Sequence, residues 1–319
     1  MTKVFITGIT GYIGGDATAT LVAKHPEFTY SALVRSTEKA EQVKAQYPNI
    51  RVVIGDLDDS ALLERESAAA DIVLHTADAS DHADAAKAIA TGLVAGHSKK
   101  NPGYWLHTGG TGILTFEDSD RNEFGNHSYK VYDDWSGVEE LLNLPDHAFH
   151  RNVDQLVLEA GTTHADVLKT ALVCPPTIYG RGRGPCSQRG RQVYELANVT
   201  LRLQKGPIIG AGRSIWNNVH IHDLSDVPTI SPKNGEHVWG ELAKSTAEAA
   251  TKLGYLPEAK AESIDLESAK KYAGFESLSW GMNSRGRAQR ARKILGWKPH
   301  RPSLLEELPT VVRSESERM

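Results

Sequence analysis

Three glycines fall within the seven residues that follow the first apolar run of the chain, in Thr7-Gly8-Ile9-Thr10-Gly11-Tyr12-Ile13-Gly14. Val4-Phe5-Ile6-Thr7 before them reads as a buried strand. Ile13, Ala17, Leu21 and Val22 after them mark one face of a helix that fades at Pro26. A strand, a glycine-rich turn and a helix in that order meet a specific demand. One glycine makes the tight turn, one lets backbone approach a pyrophosphate, and one lets the helix pack on the strand. The amides and dipole of the helix N-terminus then hold negative charge. Thr7, Gly8, Thr10, Gly11, Tyr12, Ile13 and Gly14 are therefore the first candidate cofactor residues. Glycines also make ordinary turns, but here the string lies directly between a strand and an amphipathic helix.

The alternation continues. Strands are predicted at Thr29 to Val34, Arg51 to Ile54, Asp71 to His75, Tyr104 to Thr108 and Val167 to Val173, with helical sequence between them. Val153, Leu156, Val157 and Ala160 recur at helical spacing, and Gly161 reads as the stop of that helix. This order predicts an α/β fold, a Rossmann-type doubly wound parallel sheet. After Gly180 a loop of arginines and glycines opens a different texture, with a helix predicted over Gln192 to Gln204. The division expected is a nucleotide-binding core over 1–180 and a small C-terminal α/β lid over 181–319.

Composition excludes several function classes. A net charge of −4 leaves no basic footprint for nucleic acid. No uncharged apolar run approaches the length of a bilayer span. Two cysteines, Cys174 and Cys186, make no disulfide framework and suit a reducing compartment, and strand-like sequence by Val4 leaves no room for a signal peptide. The expected location is the cytoplasm.

The residue that reads the adenosine ribose is expected at the end of the second strand. Arg35-Ser36 stands there, with no acid. A guanidinium and a hydroxyl suit a 2′-phosphate, which a carboxylate would repel, so NADP is favoured over NAD. The plainer reading of Arg35 is a solvated strand-end charge. Asp56-Leu57, after the third strand, would lie beside the adenine, and Asp56 could equally be a helix-entry residue.

These residues carry a resemblance. The Thr-Gly-x-x-Gly-x-x-Gly spacing, Gly55-Asp56-Leu57, Pro176-Thr177-Ile178-Tyr179-Gly180, His220-Ile221-His222-Asp223-Leu224 and Leu295-Gly296-Trp297-Lys298-Pro299 stand in the order of landmarks of the extended and atypical short-chain dehydrogenase/reductases. The chain thus resembles the NAD-dependent epimerase/dehydratase family, and more closely its poorly characterised fungal NAD(P)-binding members. The resemblance implies a Rossmann core with a substrate-binding lid, and adds Thr76, Ala77, Pro176 and Ile178 to the cofactor side. It implies a small-molecule substrate and brings a homodimer into view.

It also implies a catalytic tyrosine with a lysine four residues later, yet none of the ten tyrosines has one. Aligned on the helix that holds Asp154, Asp146 takes the tyrosine position and His150 the lysine position. Imidazole titrates near neutral pH, so His150 is the acid–base candidate, and Asp146, four residues earlier on one helix face, its orienting partner. The bland reading makes these an exposed helix start and a cap. Gly110 stands nearest the usual catalytic serine, leaving Thr111 adjacent and Thr108 as the fallback. Where an arginine would grip a nucleotide-sugar diphosphate stands Trp216, with Arg213 nearby. An indole stacks on flat apolar ligands rather than clamping phosphate. Tyr179 is the remaining substrate candidate. His220 and His222 are expected to point the same way on a strand, but no metal motif accompanies them.

Finally, the family continues past Leu224 into a long helix and a strand, where this chain has Asp226 to Gly235 with two prolines. The lid is therefore expected to be shortened near 225–235. The first functional reading is an NADP-dependent oxidoreductase acting on a small carbonyl, alcohol or enone. The alternatives are a catalytically silent NADP-binding redox sensor and a nucleotide-sugar epimerase or dehydratase.

Overall fold

Apolar strands too short to stand alone find their partners in one parallel sheet. The computed structural model describes residues 1–226 and 235–319; the expected shortening near 225–235 falls largely outside them. The chain forms two compact units. The first comprises Met1–Gly110, His150–Pro175 and Gly182–Gln188; the second comprises Thr111–Phe149, Pro176–Arg181 and Arg189–Met319. Residues 111–149, which a boundary at 180 would leave with the core, thus belong to the second unit.

In the first unit the elements run β1 (Lys3–Thr7), α1 (Tyr12–Lys24), β2 (Thr29–Val34), α2 (Thr37–Gln46), β3 (Arg51–Ile54), α3 (Ser60–Ala68), β4 (Ile72–His75), α4 (Ala83–Gly96) and β5 (Gly103–Thr108). The helix Arg151–Thr163 and the strand Leu168–Val173 complete it. The six-stranded sheet has the order β3-β2-β1-β4-β5 followed by the strand Leu168–Val173, and every pairing is parallel. This is a Rossmann-like fold. The strand order reverses between β1 and β4, so their carboxyl ends open the crevice where such sheets bind ligands.

Side-chain alternation distributes the core over both faces. Phe5, Leu33, Val53, Val73 and Trp105 pack with Leu63, Ile89, Leu93, Val153 and Val157 of three helices. Val4, Ile6, Ala32, Val34 and Leu74 point the other way, toward α1 and α2. The helix expected to stop at Gly161 runs on to Thr163. A Cβ at Gly161 would collide with Thr170, so this glycine serves close helix–strand approach rather than termination.

One face is bare at one edge of the sheet. Trp105 is fully buried, yet its neighbours Tyr104 and Leu106 are 47% and 39% exposed, and Val173 on the next strand is 40% exposed. Parallel sheets are usually covered on both faces.

The second unit has its own core, built on the helices Gln192–Leu203, Trp239–Lys252 and Leu304–Ser316 around Trp216, Trp239 and Trp280. Its strands Gly235–Val238, Ile215–His220 and Thr177–Tyr179 form a three-stranded sheet. No helix among the described residues is long and apolar enough to cross a membrane.

The alternation along β5 sets a stability test. Trp105→Ala is expected to cost about 3–5 kcal/mol in denaturant unfolding, the range for emptying a buried aromatic site. Leu106→Ala, one residue on, should cost less, about 1–2 kcal/mol, because that residue is 39% exposed and leaves no enclosed cavity. Equal losses at the two positions would show that the bare face is covered in solution.

Candidate functional site

The glycine-rich turn is built as the sequence implies, and each glycine has a separate reason. Gly8 has φ +88°, and a Cβ there would collide with Thr76 and the Ala77 amide. A Cβ at Gly14 would strike the Thr76 hydroxyl and the Gly8 carbonyl, so only glycine lets α1 sit this close to the end of β4. Gly11 differs. A Cβ there would meet only the Gly8 carbonyl, at 3.2 Å, so this side of the turn is open to an incoming group. Gly11 is also the N-cap of α1 and carries no side-chain cap. A cradle open at one glycine, facing the positive end of a helix, fits a pyrophosphate.

Thr7 lies beneath this cradle, fully buried. Its hydroxyl oxygen accepts from the amides of Thr76 (3.2 Å) and Ala77 (3.4 Å), and pairs with His75 Nδ1 at 2.6 Å. With its acceptor sites so used, the hydroxyl donates to a neutral imidazole. The Thr76 hydroxyl in turn donates to the Thr7 carbonyl at 2.7 Å. Thr7, Thr76 and Ala77 thus lock β1 to β4 and shape the cradle from below.

His75 pairs in register with His107 of β5, their rings 5.2 Å apart, and His107 meets Trp105 edge-on. Neither His107 ring nitrogen has a hydrogen-bond partner among the described residues. Burial therefore pushes the His107 imidazole down to about 4 and holds His75 well below its ordinary value, with the charge on His107 adding to the effect at His75.

At the carboxyl end of β2, Arg35 is exposed and makes no hydrogen bond or ion pair with the described residues. Ser36 has a structural task, since its hydroxyl accepts from the Lys39 amide at 3.3 Å and caps α2. Asp56 accepts from the Asp58 amide at 3.0 Å in an exposed turn, and Leu57 packs on the core.

His150 is the N-cap of the helix Arg151–Thr163, with φ +70°. Its Nδ1 lies 2.7 Å from Asp81 Oδ1, and its side chain is only 10% exposed. A Cβ at position 110 would sit 3.5 Å from its Nε2, so the imidazole faces the glycine nearest the usual catalytic serine. The expected partner Asp146 does not share a helix face with it. Residue 146 lies in an exposed turn of the second unit, before the helix begins, and His150 Nδ1 is met by an acid from elsewhere in its own unit, Asp81. One turn into the helix, Asp154 is buried, its carboxyl pushed up to about 7 by desolvation. A Cβ at Gly109 would lie 3.0 Å from both Asp154 Oδ1 and Cys174 Sγ, so these groups close around that glycine. Thr108 ends β5, half-buried.

A third segment completes the first unit. Asp16, fully buried on α1, accepts from the Arg183 amide and Nε, each at 2.9 Å, and from Nη2 at 2.7 Å. The Ser187 amide donates to the Thr10 carbonyl at 3.2 Å, and Gly184 abuts Gly15. Residues 182–188 are thereby strapped to α1. The sequence reading missed both Asp16 and Asp81, whose partners lie far along the chain; an acid two residues past the third glycine and a lone RGRG run were the available signals.

The remaining candidates lie in the second unit. Thr111 opens a short 3₁₀ turn, and its hydroxyl is buried without a partner among the described residues. Pro176 and Ile178 are half-buried around the strand Thr177–Tyr179. Tyr179 is buried and donates to the Pro302 carbonyl at 2.9 Å, and burial raises its phenol further, so it is a tether rather than a substrate contact. Trp216 corrects another expectation. It is a core residue whose Nε1 donates to the Met282 carbonyl at 2.7 Å, and it offers no face for stacking. Arg213 is exposed and reaches Asn126 Oδ1 at 3.3 Å. His220 ends its strand while His222 lies in the following helix, so the two do not share a strand face.

Comparisons with known proteins agree with this geometry. Residues 8–101 match the family described as NAD(P)H-binding. The chain is 38% identical to the oxidase ucsJ of Acremonium sp. over 344 aligned positions, covering 99% of this chain and 98% of that protein. Among solved structures, dTDP-glucose 4,6-dehydratase DesIV of Streptomyces venezuelae, with NAD and TYD bound, superposes with a TM-score of 0.68 at 16% identity, over 99% of this chain and 97% of that one. UDP-glucose 4-epimerase of Thermotoga maritima, with UDP-glucose, gives a TM-score of 0.64 at 14% identity, over 99% of each chain. The chain thus carries an NAD(P)-binding domain for a nicotinamide cofactor.

The histidine pair under the cradle dictates a pH response. Between about pH 6.5 and 4 the unfolded chain binds a proton that folded His107 refuses, so stability falls as pH drops through that window. Asp154 acts oppositely, because its folded carboxyl keeps a proton up to about 7. In His107→Asn the slope of unfolding free energy against pH should be shallower by up to about 1.4 kcal/mol per unit. Identical slopes in variant and parent would place the acid sensitivity elsewhere.

Proposed function

We propose that this chain, which belongs to the extended short-chain dehydrogenase/reductases of the NAD-dependent epimerase/dehydratase family, is an NADP-dependent oxidoreductase acting on a small carbonyl, alcohol or enone. The observation that carries the reading is His150. Where the family places its tyrosine–lysine pair, this chain sets an imidazole with an acid on Nδ1 and Nε2 facing position 110.

The cofactor would be held by the backbone of Gly8, Gly11 and Gly14 and by the start of α1. Arg35 and Ser36 at the end of β2 would meet the 2′-phosphate, which an acid would repel. When bound, the nicotinamide supplies or accepts a hydride. His150 gives or takes the proton at the substrate oxygen, so that no charge is left on it. Thr108 and Thr111 remain the hydroxyl candidates of the two units. The relative's name as an oxidase supports a redox reaction. A cytoplasmic location and a homodimer belong to the same reading.

A second reading is favoured by one specific observation, the missing tyrosine–lysine pair: an NADP-binding sensor without turnover. The nucleotide-sugar reading fares worse, since the residue at the diphosphate-gripping position is Trp216, buried in the core.

Following the nicotinamide absorbance of NADPH against a panel of aldehydes, ketones and enones separates the two. Consumption of NADPH is expected, with His150→Ala lowering kcat by about 10²–10⁴-fold at unchanged cofactor affinity. Tight binding without turnover of any member would decide for the sensor. Arg35→Asp should weaken NADPH binding by about tenfold or more while sparing NADH, as expected on losing a charge-assisted phosphate contact. Equal effects on both cofactors would remove Arg35 from the site.

A further inference from the structure

We propose that Asp81 is the positioning residue of His150, holding its imidazole in the Nδ1–H tautomer and turning Nε2 toward position 110. The proposal extends the reading of His150 as the proton-transfer group.

The backbone at His150 is the first reason. A φ of +70° is uncommon for a residue with a Cβ, and such conformations persist only where the surroundings over-determine them. Here the His150 carbonyl accepts from the amides of Val153 and Asp154, each at 3.1 Å, which fixes the start of the helix. The side chain is fixed from another part of the chain, by Asp81 Oδ1 at 2.7 Å.

The build of the Asp81 turn is the second reason. Asp78, itself at φ +43°, accepts through its carbonyl from the amides of Asp81 and His82, each at 3.1 Å. His82 then anchors the turn at both ring nitrogens. Nδ1 accepts from the Ala85 amide at 3.1 Å to cap α4, and Nε2 lies 3.1 Å from Asp58. The Ser80 hydroxyl donates to Asp81 Oδ2 at 3.4 Å, leaving Oδ1 for the imidazole. Two strained residues, Asp78 and His150, thus bring together groups 69 positions apart.

The chemistry follows from donor and acceptor capacity. An ionised carboxylate only accepts, so the neutral ring must carry its proton on Nδ1. Nε2 then presents a lone pair to position 110, and after protonation it presents a proton there. Without the carboxylate, the hydrogen bond that holds the proton on Nδ1 is lost.

The test uses the full chain with 15N-labelled histidine, read by two-bond proton–nitrogen correlation at a pH where the ring is neutral. In the parent protein His150 should show a protonated Nδ1 and an unprotonated Nε2. Asp81→Asn, which can face the ring with either end of its amide, should yield a mixture of tautomers or their reversal. Should Asp81→Asn fold poorly, Asp81→Glu provides the comparison and should retain the Nδ1–H form. With a carbonyl that the protein reduces, Asp81→Asn should lower kcat by about 10²–10⁴-fold, as expected on losing a tautomer-fixing carboxylate, with NADPH affinity within twofold of the parent. An unchanged tautomer in Asp81→Asn overturns the proposal whatever the rates do. A changed tautomer in a protein that reduces nothing keeps Asp81 as the positioning residue and overturns the oxidoreductase reading instead.

Discussion

The first unit is organised around a contact with no room for a Cβ. Where α1 meets the end of β4, a methyl on Gly14 would collide with the Thr76 hydroxyl and the Gly8 carbonyl. That closeness lets Thr76 bond back to the Thr7 carbonyl, and lets the Thr7 hydroxyl gather the amides of residues 76 and 77. Two strand ends and one helix start become a single rigid knot. Its rigidity leaves Gly11 as the open side of the turn, which fixes where an anion can approach. The same knot holds His75 through Thr7, and burial there lowers the imidazole well below its ordinary value, as it does for the neighbouring His107. Cofactor geometry and acid sensitivity therefore share one cause.

Charge pairing narrows the chemistry further. Arg183 is committed to buried Asp16, Arg189 to Glu315 and Glu195, and Arg191 to Glu276. Breaking the pairs on buried Asp16 and Glu315 leaves an uncompensated charge, so Arg183 and Arg189 are poor candidates for an anionic ligand. Arg35, exposed at the carboxyl end of β2, is under no such commitment. The single arginine of the strap over 182–188, Arg183, is spent on holding it to α1.

Local chemistry was legible in the sequence and distant pairing was not. The strand–glycine–helix start, the order of the sheet strands and the helix holding Asp154 follow from periodicity and turn residues within a few positions of one another. Gly161 misled because a glycine late in a helix pattern signals termination as readily as close packing, and only the position of Thr170 separates the two. Trp216 misled for a related reason. An indole beside a loop looks like a ligand platform until the Met282 carbonyl is found on its Nε1. Asp146 was chosen as the partner of His150 by counting four residues along an assumed helix. The helix starts at Arg151, so that count had no physical basis, and the acid arrived from the turn after β4. No pattern within the neighbourhood of residue 150 could have named residue 81.

That pairing bears on whether the chain still does chemistry. On the proposed reading, a protein that only binds a dinucleotide needs the glycine knot and the strand end at Arg35, and neither uses His150. Nothing in that task calls for an imidazole held in a left-handed backbone conformation, which costs of order 1–3 kcal/mol. Nor does it call for a second strained residue, Asp78, under the acid that meets it. Strain of this kind would relax by ordinary helix capping, with a serine or aspartate at position 150, unless the ring's direction were itself the requirement. The loss of the tyrosine–lysine pair argues for silence, but the site it left contains a histidine aimed by a carboxylate toward position 110. The geometry is a carboxylate-held imidazole facing position 110, and on the proposed reading that arrangement supports proton transfer over cofactor sensing.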